Sequence, residues 1–350
     1  MTEDHSLTIG GTRVAPGERR RIEIEVAQPY GPSQLTLSTV ILNGRKPGPR
    51  LFLSAAVHGD EINGVEIIRR LLRSPRVRHL RGALIAIPIV NIYGFMQQSR
   101  YLPDRRDLNR AFPGSERGSL TGRLAGVFMR EVVANSTHGI DLHTAAIHRS
   151  NLPQIRACLD DEKTRILAEA FGVPVVIDAN VRDGSLRQAV LERKVPMLLY
   201  EGGEALRFDE LAIRAGVRGV LSVMVELGMI DPPRRPPTRV RPVVAKSTIW
   251  VRADEGGILR IQKRLGAHVQ AGDVLAVVSG PLGDREETVT SPTAGVIIGR
   301  TELPLVNEGD ALFHIASFEQ RSKAGRQVER FEAELDPDAT ASPSGEPPVL

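Results

Sequence analysis

Two kinds of hydrophobic patterning alternate along the first two-thirds of the chain. From Arg50 to Val57 the run RLFLSAAV is apolar and of strand length, and HGDEING follows at once. The next segment, GVEIIRRLLRS, has apolar positions at helical spacing, so the three pieces read as strand, loop and helix. The succession recurs downstream. Gly82 to Val90 (GALIAIPIV) reads as a buried strand, Leu120 to Val133 as an amphipathic helix, and His138 to Thr144 (HGIDLHT) as another strand. Thr164 to Phe171 is predicted helical, Val173 to Asp178 extended, and Val195 to Gly203 (VPMLLYEGG) a strand running into a glycine pair. Strands alternating with helices predict an α/β fold, a mostly parallel or mixed sheet covered by helices on both faces.

The pattern changes at Pro232, where PPRRPP fixes an extended linker that cannot be helical. Beyond it, between Trp250 and Phe318, short alternating strands turn at glycines, and a faint repeat is visible. Gly257-Ile-Leu leads to AGDVLA from Ala271, and Gly295-Val-Ile leads to EGDALF from Glu308. Two similar β units predict a small face-to-face barrel or sandwich. Expected boundaries are a β segment over 1–48, a catalytic domain over 49–231, a linker over 232–242, a small all-β domain over 243–318 and a charged tail over 319–350. The end of that tail is rich in Pro and Ser and is expected to be disordered beyond Asp336.

Composition narrows the function classes. With 350 residues, 41% hydrophobic and 25% charged, the chain suits a globular protein of one large and one small domain. The start, MTEDHS, is acidic and lacks an apolar core, and no run is long enough to span a bilayer, so a cytoplasmic protein with no membrane partner is expected. A net charge of +4 is spread over scattered basic residues without interleaved aromatics, which argues against a nucleic-acid partner. Cys158 is the single cysteine, read as a small apolar residue, so any metal must be held by His and carboxylate groups.

Such groups stand at strand ends. His58 and Glu61 lie in HGDE, three residues apart in the loop after a buried strand, where parallel sheets place their ligands. The pair alone is scarcely above chance for a chain with eight histidines. His143 ends one predicted strand and Glu201 another, so parallel strands would bring all four groups to one edge of the sheet. Two His and one carboxylate leave a position open for water, the catalytic form of zinc ligation, although cobalt or manganese would also be accepted. Glu201 suits a general base beside such a site. Asp60 and Asp141 are candidates to orient the imidazoles, Asp141 the better because a spacing of two in a strand shares the face of His143. A His143 satisfied within its strand by Asp141 or a backbone group is the competing reading. Between the ligands, Ser99 to Gly114 (SRYLPDRRDLNRAFPG) reads as a functional loop in which Asn109 and Arg110 either hold a substrate carboxylate or form part of a solvated arginine cluster.

HGDE, DLNRAFPG, IDLHT and YEGG, in that order, resemble the succinylglutamate desuccinylase/aspartoacylase family of zinc carboxypeptidase-like proteins. The resemblance covers the chain from about Pro49 to the end of the C-terminal β region. It implies one Zn2+ per chain held by His58, Glu61 and His143, Glu201 as general base and acid, and Asn109 with Arg110 on the substrate carboxylate. Arg100 and Arg187, the latter in GSLR, resemble further substrate-contacting or oxyanion-contacting arginines. The implied activity is metal-dependent hydrolysis of a small N-acyl amino acid or similar amide, with a homo-oligomer left open. The C-terminal region resembles a biotinyl/lipoyl-type barrel, but the joint between its halves, GPLGDREET from Gly280, has no carrier lysine, leaving a structural or substrate-shaping role. Two other readings stay open, a carboxypeptidase-like peptidase on the same scaffold and a non-catalytic metal-binding module that recruits a partner through the barrel.

Overall fold

Four parallel strands form the centre of a thirteen-stranded mixed sheet. Lys46–Ala55 lies between Arg81–Ile87 and His138–His143, and Met197–Gly203 pairs beyond His138–His143. Their middles are apolar at successive positions because both faces are covered: Leu51, Phe52, Leu53 and Ala55 are all fully buried. On one side the sheet continues antiparallel through Leu35–Asn43 to Arg19–Ala27. On the other, Met197–Gly203 pairs antiparallel with Arg149–Ala157. These coordinates are a computed structural model and describe residues 5–27, 35–179, 181–234, 242–283, 285–319 and 321–335.

Helices Asn63–Arg73, Glu162–Phe171 and Glu210–Glu226 cover one face, where Ile67, Phe171 and Val223 share a core with Leu53 and Leu198. Leu120–Val127 and Leu186–Glu192 cover the other, around Phe52, Phe128 and Val190. Most of these helices begin where the sequence offers a cap. Ser119, Asp161, Ser185 and Asp209 each accept a backbone N–H of their helix's first turn. The predicted α/β fold is therefore present, with helices on both faces.

The C-terminal region is all-β, as expected, and is joined to the large sheet by hydrogen bonds. Gly295–Thr301 pairs with Arg149–Ala157, and the sheet runs on through Ala311–Ser317 to Ser247–Arg252. A second, four-stranded antiparallel sheet, in the order Glu286–Thr290, Val274–Ser279, Gly257–Ile261, Leu305–Val306, packs Leu259 and Val278 against Ile297 and Phe313 of the large sheet. The internal repeat is real in the backbone, since Gly272 and Gly309 occupy equivalent turns, both at positive φ. Arg321–Leu335 forms a helix whose Phe331 lies beneath the Arg218 guanidinium of Glu210–Glu226. The tail beyond Asp336 and residues 235–241 of the proline-rich linker lie outside the described residues. No described helix is long and apolar enough to cross a membrane.

Candidate active site

The loop that leaves Ala55 is held in one shape by close packing. Ala56 takes a left-handed backbone conformation, φ 48°, and a Cβ on Gly59 would fall 2.0 Å from the Gly94 carbonyl carbon. HGDE therefore has no room to shift, and it turns His58 and Glu61 inward. Parallel register brings the other ends to the same edge: Ala55 lies opposite Leu142, and His143 opposite Glu201.

His58, Glu61 and His143 form a buried triangle whose candidate ligand atoms all lie within 4.8 Å of one another. Glu61 faces both imidazoles, Oε1 at 2.6 Å from His58 Nδ1 and Oε2 at 2.7 Å from His143 Nδ1. The outward nitrogens meet carboxylates too, His143 Nε2 at 2.7 Å from Asp141 and His58 Nε2 at 3.2 Å from Asp107. Two inward Nδ1 atoms, one carboxylate between them and a carboxylate behind each ring form the donor set that fits a divalent ion such as zinc. Electrostatics agree with a site built for positive charge. Burial works against a charged His143, yet the carboxylates of Asp141 and Glu61 outweigh it and push its pKa well above the ordinary value. Burial likewise opposes ionisation of Glu61, but the two imidazoles hold its carboxyl far below the usual range.

Among the sequence candidates, Asp141 stands behind His143, while Asp60 contacts neither imidazole and its buried Oδ1 has no hydrogen-bond partner among the described residues. Asp107 takes the place expected of Asp60. It also pins Arg100, whose Nε and Nη2 donate to Asp107 Oδ2 at 3.1 and 2.9 Å and whose Nη1 lies 3.5 Å from Glu61. Asn109 is buried and accepts the Leu186 N–H at 2.9 Å, tying its loop to the helix that carries Arg187. Arg110 is exposed at the rim, and its Nη1 donates to the Asn109 carbonyl at 2.5 Å. Arg187 is buried; burial first, and then the charge of Arg156, lower its pKa.

Glu201 projects into the same cleft, a space of about 210 Å3 that includes the triangle and all four of these substrate candidates. Its two oxygens are held separately: Asn151 Nδ2 donates to Oε2 at 2.6 Å, and Arg156 Nε lies 3.1 Å from Oε1. Neither partner was foreseen, and neither were Arg149, Arg182 and Trp250, which also line the cleft. Asn151, Arg149 and Arg156 come from the unpredicted Arg149–Ala157 strand. Six arginines face the cleft, against two carboxylates, Glu61 and Glu201, that are already engaged. Such a space attracts anions.

Fold and site together define an α/β protein with a candidate mononuclear metal centre at the carboxyl edge of its parallel strands. A model of the succinylglutamate desuccinylase/aspartoacylase catalytic domain matches residues 47–227. The chain belongs to the succinylglutamate desuccinylase/aspartoacylase family. Among curated relatives, N-alpha-acetyl-L-2,4-diaminobutyric acid deacetylase of Halomonas elongata is 28% identical over 79% of this chain and 84% of its own. Succinylglutamate desuccinylase of Pseudomonas aeruginosa is also 28% identical, over 40% of this chain and 43% of its own. Two solved structures share the fold. The product-bound ectoine utilization protein EutE of Ruegeria pomeroyi has a TM-score of 0.76 at 21% identity, covering 85% of this chain and 94% of that one. A succinylglutamate desuccinylase/aspartoacylase from Rhodobacter sphaeroides has a TM-score of 0.75 at 23% identity, covering 86% and 96%.

Proposed function

We propose that the protein is a zinc-dependent hydrolase that cleaves the amide bond of a small N-acyl amino acid. The observation that carries this reading is the triangle of His58, Glu61 and His143, backed by Asp107 and Asp141, opening into the cleft that contains Glu201. Zinc held by two imidazoles and a carboxylate supplies a water of lowered pKa and a Lewis acid for the acyl carbonyl. Glu201 takes the proton of the attacking water and returns it to the leaving nitrogen. Asn151 and Arg156, one on each oxygen, keep that carboxylate aimed. Arg100, immobilised by Asp107 beside Glu61, stabilises the negative charge that develops on the acyl oxygen. Asn109, Arg110 and Arg187 hold the substrate carboxylate, for which guanidinium offers two parallel hydrogen bonds.

The curated relatives, a deacetylase and a desuccinylase of amino-acid derivatives by name, support the same reaction class. The cleft, at about 210 Å3, supports a small substrate over a peptide. The C-terminal strands then shape the substrate space, as the missing carrier lysine suggests. Purified protein should contain about one zinc per chain, lost in His58→Ala. Wild type should hydrolyse members of an N-acyl amino acid panel, and Glu201→Gln should fall by at least about a hundredfold. Full activity in Glu201→Gln rules out this base, and a panel without any turnover rejects the reaction.

A further inference from the structure

Strand register carries a row of residues from Asn151 into the C-terminal region, and a side-chain hydrogen bond joins that row to Glu201, whose own register partner is Gln154. His143 lies opposite Glu201, Asn151 opposite Gly299, Gly299 opposite His314, and His314 opposite Trp250. The Asn151 side chain bridges the row by donating to Glu201. Gly299 leaves space for this, because a Cβ there would lie 2.8 Å from Asn151 Oδ1 and 3.3 Å from His314 Cβ. At the far end, Trp250 stacks on His314 with ring centroids 4.4 Å apart and planes within 5°. Burial, and secondarily the charge of Arg156, push the His314 pKa down to about 3, so the ring beneath Trp250 is neutral. The Arg149 guanidinium stands 5.4 Å from the centre of the Trp250 ring.

Both Trp250 and Arg149 line the cleft that holds the triangle. Among the described residues the Arg149 side chain has no hydrogen bond or ion pair, and its guanidinium stands over the Trp250 ring. The carboxylates that could neutralise it from within the cleft are committed elsewhere, Glu61 to two imidazoles and Glu201 to Asn151 and Arg156. An unneutralised cation over an aromatic ring therefore lines one side of the cleft.

We propose that Trp250 and Arg149 form a subsite that determines specificity, Trp250 limiting the length of the substrate and Arg149 rejecting a cationic end in favour of an anionic one. The proposal rests on the amidohydrolase reading and deepens it. A side chain ending in an ammonium group, as in the diaminobutyric derivative named for the Halomonas elongata relative, would meet Arg149 with like charge. A second carboxylate would meet a free guanidinium, whether it is carried by the amino acid or by the acyl group.

Trp250 is the only tryptophan of the chain, so its emission reports directly on this subsite. In zinc-loaded Glu201→Gln, titration with N-acetylglutamate or N-succinylalanine should change that emission saturably, and the two compounds separate a side-chain carboxylate from an acyl one. N-alpha-acetyl-diaminobutyrate should give no change at the same concentrations. In turnover, Trp250→Ala should raise kcat/KM for long side chains relative to short ones by about tenfold. Trp250→Phe, which keeps an aromatic shelf, should preserve the wild-type ratio. Arg149→Gln should erase the preference for an anionic over a cationic end. Emission indifferent to all ligands, or selectivity ratios unchanged in Trp250→Ala and Arg149→Gln while wild type turns over, overturns the subsite. If wild type hydrolyses no N-acyl amino acid, the reaction is rejected separately, and the emission titration alone then decides the subsite: saturable change supports it, and none overturns it.

Discussion

Asp141→Asn tests how the proposed metal triangle is held. Asp141 is fully buried two residues before His143, and its two oxygens have separate duties. Oδ1 accepts from Ser54 Oγ at 2.7 Å, and Oδ2 accepts from His143 Nε2, also at 2.7 Å. Asparagine fills the same volume, but one of its two positions becomes a donor. With its oxygen kept for Ser54, an NH2 faces the N–H of His143; with the amide reversed, Ser54 loses its acceptor. Either arrangement forfeits one buried hydrogen bond to a charged group, about 1.5–3 kcal/mol. If that loss falls on the ligand orientation of His143, metal affinity weakens by about 10- to 150-fold, at roughly 1.4 kcal/mol per factor of ten. The range overlaps the ~10–100-fold typical of partners behind a ligand histidine. Zinc titration against a chelator competitor gives the affinities, with circular dichroism confirming that both proteins are folded. Ser54→Ala, which spares the His143 bond, should cost less. Equal zinc affinity in wild type and Asp141→Asn would refute the orienting role.

Gly59→Ala should displace the HGDE loop from the Gly94 backbone and lower both stability and zinc affinity, with a stability loss of about 1–3 kcal/mol by urea denaturation. Tyr200→Phe removes a fully buried hydroxyl that donates to the Ala212 carbonyl at 2.7 Å, and should cost about 1 kcal/mol in the same assay. Acid should weaken the contact between helices Asn63–Arg73 and Glu210–Glu226. Hydrogen bonds from Arg69 and then Arg70 lower the Glu66 pKa to about 2, and Arg70 does the same for Glu210. Both values lie below those of the unfolded chain, so the stabilisation is complete above the ordinary glutamate range and disappears as pH falls towards 2. The stability gap between wild type and Glu66→Gln should therefore shrink steadily on acidification below about pH 4.5, and a gap independent of pH would remove Glu66 from that account.

The strands that lead to His58, His143 and Glu201 are legible because central parallel strands are apolar over successive positions, and the candidate ligands mark where the apolar runs stop. The contacts of Glu201 are not legible, for a related reason. Arg149, Asn151 and Arg156 line the cleft, buried positions that would ordinarily be apolar carry Asn151 and Gln154, and Pro153 interrupts the run. Function has overwritten the period-two pattern there. Asp107 has no distinguishing mark within DRRDLNR, and only three-dimensional packing shows that it, not Asp60, backs His58. The β character of the C-terminal region is readable from its glycine turns. Its continuity with the large sheet is not, because the pairing of Gly299 with Asn151 leaves no local trace in either segment.

That pairing has a consequence for how the chain is made. During synthesis the strand Arg149–Ala157 emerges long before Gly295–Thr301, and until the later strand arrives the Arg149–Asn151 end of the earlier one, which Val175–Asp178 does not pair, presents unpaired N–H and C=O groups. Contacts so distant in sequence form slowly, and an open edge invites pairing with another nascent chain. Release of the chain before Gly295–Thr301 has been made should then yield aggregates rather than a folded sheet, so the walls of the candidate site are completed only after that strand has emerged.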